Sequence, residues 1–274
     1  MRRIGLILGL AAALALVPAA SAAHLATPES ALFHRGTIYV SLIGAFGAND
    51  GSIVKVDASG VVTGTLVQAS ATTSLADPKG MASAGSTLWV TDVTVIRSFD
   101  LGTGAAGRMA DLSASARFLN DLAVDRRGNL WASDSQGNAL YRFATTGQVT
   151  RIALPGRFSA PNGLAVHPGT GELWFVTAPG VPGQAEVVRR TASGKFMLVK
   201  TARQLVSLDG LAFVGKVAYF SDFQTGSVWK LAADGKLTKR AQLAGSPADL
   251  SYAPALKRLL VPLLRAGHFT TLKP

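Results

Sequence analysis

Residues 118–147, FLNDLAVDRRGNLWASDSQGNALYRFATTG, hold three short strand-like runs, each closed by a polar turn containing Gly or Asn. Period-two apolar runs of about five residues between such turns make an antiparallel meander. The same unit returns as DPKGMASAGSTLWVTD from Asp77, PNGLAVHPGTGELWFVTA from Pro161 and LDGLAFVGKVAYFSDFQTGSVWKL from Leu208. Weaker copies start at Thr27 and Ser246. The first variable position of each copy is Glu29, Lys79, Asn120, Asn162, Asp209 or Ala248, at successive intervals of 50, 41, 42, 47 and 39 residues. A repeat of roughly 40 residues with three or four short strands marks a propeller blade. The expected fold is therefore all-β: a six-bladed β-propeller of four-stranded antiparallel blades, in one domain over residues 23–274. Hydrophobic residues at 48% and charged ones at only 16% suit a fold of buried strands and tight turns. After residue 23 no extended stretch has the 3.6-residue period of an amphipathic helix.

The chain opens with Arg2 and Arg3, an apolar run over residues 4–17 and Ala20-Ser21-Ala22. A basic start, a short apolar core and an A-x-A site describe a signal peptide, here residues 1–22. The expected location is periplasmic or secreted, with no integral membrane segment after cleavage. The absence of Cys excludes a disulfide framework, a thiol nucleophile and a cysteine-linked lipid anchor. The net charge is +11. Basic residues occur at most in pairs, Arg126-Arg127, Arg189-Arg190, Lys239-Arg240 and Lys257-Arg258, in different copies. That spread reads as a solvated basic surface rather than a nucleic-acid patch, so no nucleic-acid partner is expected.

An aromatic recurs in the second strand, at Tyr39, Trp89, Trp131, Trp174 or Phe175, and Tyr219, with Leu260 in copy six. A large ring at one repeated position reads as filler between neighbouring blades. The Gly-rich insert over residues 43–51 reads as a loop near one end of the channel.

The innermost strand of each blade lines the channel, so the residues opening those strands converge. Five of the six are polar: Glu29, Lys79, Asn120, Asn162 and Asp209, with Asp121 and Asp249 one step further on. Carboxylate and amide oxygens meeting at one point are hard ligands of the kind Ca²⁺ takes. Facing carboxylates also require a cation or a shared proton. The same residues allow a salt-bridged plug in a non-catalytic propeller, with Lys79 paired to Glu29 or Asp209. The four His residues are scattered, and neither G-x-S-x-G nor paired His at zinc spacing occurs.

At these positions the chain resembles the regucalcin/gluconolactonase family, also known as the senescence marker protein family, of six-bladed propellers. The resemblance rests on Glu29-Ser30 in copy one, Asn162-Gly163-Leu164 and Asp209-Gly210, and on Arg117-Phe118-Leu119-Asn120-Asp121, which carries Leu119 in addition to the family's R-F-N-D. It implies Ca²⁺ or another divalent metal held by Glu29, Asn162 and Asp209, with Asp209 also assisting water attack on a lactone. It further implies substrate contacts from Asn120 and Arg117; Lys79 joins them as a ring cation. The expected activity is metal-dependent hydrolysis of a small lactone or related ester, by a monomer whose partner is a small-molecule substrate. The alternatives are a binding or scaffold propeller of the cell envelope, and a lyase or synthase on the same architecture. Ring closure is expected from residues 24–27 pairing with the outer edge of copy six near residues 269–272.

Overall fold

The computed structural model describes residues 24–274; the targeting segment expected at 1–22 lies outside them. Six antiparallel sheets follow one another along the chain. The first five have four strands in sequential order and the sixth has three. The innermost strands are Pro28–His34, Pro78–Ala84, Leu119–Val124, Pro161–Val166, Leu208–Val214 and Ser251–Ala253. Each blade is a meander because its strands are joined by tight turns. At the Ala144–Gly147 turn, for example, Gly147 donates its N–H to the Ala144 carbonyl with φ at 90°, a left-handed conformation that glycine adopts without steric penalty.

Burial runs outward in steps. The second strand of blade three, Leu130–Asp134, is buried throughout, whereas its fourth strand, Val149–Ala153, is mostly exposed. Apolar residues form six clusters, one at each junction between neighbouring blades. Tyr39, Trp89, Trp131, Trp174, Tyr219 and Leu260 each join the cluster shared with the following blade. Phe175 instead turns back to blade three, which settles the choice in blade four on Trp174. Each ring fills a wedge between two twisted sheets that their backbones cannot close.

Closure differs from expectation, for among the described residues no fourth strand completes blade six. Of residues 24–27, Leu25 alone makes a backbone hydrogen bond to that blade among the described residues, donating to the Gly267 carbonyl at 2.8 Å, while the His24 ring meets His268 edge-on. The Ala26 and Thr27 carbonyls accept instead from Gly44 and Ile43 of blade one. Thr27, at φ 57°, turns the chain straight into the first strand, leaving too little free backbone for a strand. The ring closes mainly at its centre and its core. Asp249 N–H donates to the Glu29 carbonyl at 3.0 Å, and Leu25 is buried with Leu260 and Phe269.

Candidate functional site

Five innermost strands share one irregularity. Their register against the second strand shifts between Pro28 and Ala31, between Pro78 and Met81, opposite Ala132–Asp134, between Pro161 and Leu164, and between Leu208 and Leu211. The residues in these bulges are the ring positions and their successors. A bulge re-aims side chains that the pleat would otherwise alternate.

In blades one, two, three and five, second-strand hydroxyls hold a bulge, their own or that of the next blade. Ser41 Oγ accepts from Ser30 N–H at 3.0 Å and donates to the Lys79 carbonyl at 2.9 Å. Ser221 Oγ likewise accepts from Gly210 N–H and donates to the Ala248 carbonyl, both at 2.8 Å. Thr91 donates to the Asn120 carbonyl and Ser133 accepts from Asp121 N–H. One hydroxyl thus ties a bulge to the next blade. The following Asp ends the strand and holds the loop leading into the channel. Asp134 accepts from the N–H groups of Arg117, Phe118 and Gly137, and Asp92 and Asp222 take the same role. The recurring T-D and S-D dipeptides (Thr91-Asp92, Ser133-Asp134, Ser221-Asp222) are the sequence signal for this device, which the reading of first positions passed over.

The ring positions are deeply buried, with Glu29 3%, Lys79 2% and Asn120, Asn162 and Asp209 each 7% exposed. Four of them carry an oxygen without a hydrogen-bond partner among the described residues: Glu29 Oε2, Asn120 Oδ1, Asn162 Oδ1 and Asp209 Oδ1. All four atoms are acceptors, and they come from four blades. Burial, then the Asp209, Asp249 and Asp121 carboxyls, push Glu29 well above the usual range, against the pull of Lys79. Asp209 is pushed up to about 8 by burial and then by Asp249, while the Asn162 amide works in the opposite direction.

Among the described residues Lys79 forms no ion pair with Glu29 or Asp209. Its Nζ donates to the Asp77 carbonyl at 3.1 Å, lies 3.9 Å from the Asp77 carboxylate and sits 4.4 Å from the centre of the Phe118 ring. Asp77 also accepts from Gly47 N–H, so the Gly-rich loop over residues 43–51 docks beside the ring. Burial pulls the Lys79 ammonium below its ordinary value, against Glu29 and Asp77, which hold it up.

Arg117 is exposed, and its backbone N–H is bonded to Asp134. Leu119 is fully buried in the junction between blades two and three, so the additional residue serves as core and separates Arg117 from Asn120. One step down the channel, Asp121 accepts from Leu164 and Leu122 N–H groups at 2.5 and 2.6 Å. Asp249 accepts from Ser30 Oγ at 2.5 Å. Both aspartates border a cavity of about 340 Å³ at the opposite end of the innermost strands, walled by Leu122, Leu164, Leu211 and Leu250 among others.

These oxygens suit a hard cation, with carboxylates supplying charge and amides completing the shell. Among the described residues no three His, Cys, Asp or Glu side chains gather around one metal-sized point, so any such shell needs an amide oxygen, such as that of Asn162, beside the carboxylates.

Residues 38–209 match a family described as a repeat of unknown function, DUF6923, and the chain belongs to that family. Comparison with curated proteins gives no match. Among solved structures, a gluconolactonase from Xanthomonas campestris superposes with a TM-score of 0.68 at 20% identity, over 90% of this chain and 85% of that one. A catalytically inactive virginiamycin B lyase from Staphylococcus aureus, solved with quinupristin, gives 0.66 at 16%, over 92% and 80%. An auxiliary nutrient binding protein from Bacteroides thetaiotaomicron gives 0.70 at 11%, over 90% and 68%. At these identities the likeness is one of fold, shared by enzymes and by a binding protein.

Proposed function

We propose that this member of the DUF6923 repeat family is an exported, metal-dependent hydrolase of a small lactone or related ester, with the channel ring as its site. The observation that carries the reading is the set of four buried, partnerless acceptor oxygens on Glu29, Asn120, Asn162 and Asp209. A buried acceptor without a donor costs about 1–3 kcal/mol, and four in one channel call for a shared ligand that is electron-poor. Glu29, Asn162 and Asp209 would hold a divalent cation such as Ca²⁺, with Asn120 and Lys79 left to contact substrate. A cation in that position supplies Lewis acidity toward the substrate carbonyl.

The chain's own groups do the rest. Asp209, as carboxylate, takes a proton from the attacking water, whose oxygen bonds to the acyl carbon. The ring C–O bond then breaks and the proton passes to the leaving oxygen, so water is consumed and a hydroxy acid released. The Asn120 amide N–H₂ and the Lys79 ammonium are the donors available to orient the acyl oxygen and offset its developing charge. Arg117, exposed beyond Phe118, would meet only the outer part of a larger substrate.

A binding propeller without chemistry is the second reading. It is favoured by Lys79, a buried cation beside Glu29 that competes with a metal. Proton release from a panel of lactones and esters, followed with a pH indicator in the presence of Ca²⁺, separates the two. The hydrolase reading predicts turnover that Asp209→Asn reduces at least about a hundredfold while the fold is retained. No turnover across the panel, with metal bound, would leave the binding reading.

A further inference from the structure

The sequence scatters its basic pairs, but the fold brings two of them to one place. A cleft of about 570 Å³ runs along the flank between blades three and four. Arg126 and Arg127 enter it from the turn after the innermost strand of blade three, and Arg142 from that blade's third strand, Ala139–Phe143. Arg190, the last residue of the strand Glu186–Arg190, faces them from blade four. Its guanidinium lies 5.2 Å from the centre of the Trp131 ring.

The carboxylates at this cleft are already used. Asp125 accepts from Arg127 N–H, Asn129 and Trp131 Nε1 within its own turn. Glu172 is held by Arg189 at 2.9 and 3.0 Å. Arg126 donates to the Pro168 carbonyl. Arg127, Arg142 and Arg190 have no carboxylate partner among the described residues. Arg190 Nε is buried with nothing to donate to, and burial followed by repulsion from Arg142 pulls this guanidinium below its ordinary value. Two like charges, one of them with an unsatisfied buried donor, beside carboxylates already engaged elsewhere describe half of a recognition site. Guanidinium forks match phosphate and carboxylate oxygens bidentately, and Trp131 provides an apolar floor.

We infer that this cleft binds a small molecule carrying two oxyanion groups, of the bisphosphate or dicarboxylate kind. The site is independent of the channel ring, so it is tested on metal-free protein. Pyrophosphate and succinate are titrated separately at ionic strength fixed with NaCl, reading Trp fluorescence and heat of binding. Saturable binding of either probe is expected, and the stronger of the two identifies the group. Arg142→Gln and Arg190→Gln should each weaken that binding about tenfold or more, with unchanged circular dichroism. Lys236→Gln, an exposed control in blade five, should leave it within about twofold. Binding of neither probe beyond the NaCl response, or equal weakening by Lys236→Gln, would overturn the inference.

Discussion

The two tiers of the channel differ by one residue in sequence and by much more in physical state. Asp209 opens its innermost strand, buried, with one oxygen that has no hydrogen-bond partner among the described residues. Asp121, one position further along the strand of blade three, is as deeply buried, but Leu164 and Leu122 N–H groups point at it. Burial and repulsion raise both carboxyls. What separates them is whether hydrogen-bonding capacity has been met by the protein itself. A met carboxyl ties one blade to the next; on the proposed reading an unmet one is left for a ligand. Burial and a displaced pKa do not by themselves mark function, since structural clusters show both. The proposed site rests instead on the unmet acceptors of Glu29, Asn120, Asn162 and Asp209.

The largest effect should come from removing the met carboxyl. Asp121→Ala strips an acceptor from two N–H groups, one in the neighbouring blade, and should cost about 3 kcal/mol in urea unfolding. Asp209→Ala, measured in chelator, should change stability by no more than about 1 kcal/mol, because it removes a buried carboxyl oxygen that no donor meets. Equal losses in the two variants would erase the distinction between the tiers.

A smaller effect concerns pH. Asp209, raised to about 8, and Asp249, raised to about 7, hold protons in the folded chain that the unfolded chain has released above about pH 4. The native state therefore binds more protons over that window, and stability falls as pH rises from about 4 to 8. Lys79, held below its ordinary value, acts in the opposite sense at pH values above its own folded value. Between pH 5 and 8 the metal-free protein should lose stability continuously as Asp249 and then Asp209 give up their protons, and Ca²⁺ should flatten the curve. A flat curve in chelator would show that the ring carboxyls are not proton-linked to folding.

The blades and their ring were legible from sequence because strand period, turn glycines and the 40-residue interval all report local structure. Trp89 and Trp131 could be read as filler between blades, since a constant large residue has one use at a repeated place. The register of the bulges was not legible, and it decides that Asn120 and Asp121 belong to different tiers. Nor was the direction of Lys79, whose long stem carries its ammonium to Asp77 and Phe118 and not across to Asp209. Residues 24–27 failed as a closing strand because the left-handed turn at Thr27 and the demands of Ile43 and Gly44 are matters of three-dimensional placement. The meeting of Arg126, Arg142 and Arg190 depends on two blades facing each other across a gap, which no spacing along the chain reveals.

Titration of Ca²⁺ into the metal-free protein by calorimetry, with Asp209→Asn and Asp121→Asn alongside, tests the distinction between met and unmet carboxyls most directly. The account predicts saturable binding of one ion by the unaltered chain, loss of that binding in Asp209→Asn, and its retention in Asp121→Asn. Absence of binding in the unaltered chain, or equal loss in both variants, would contradict it.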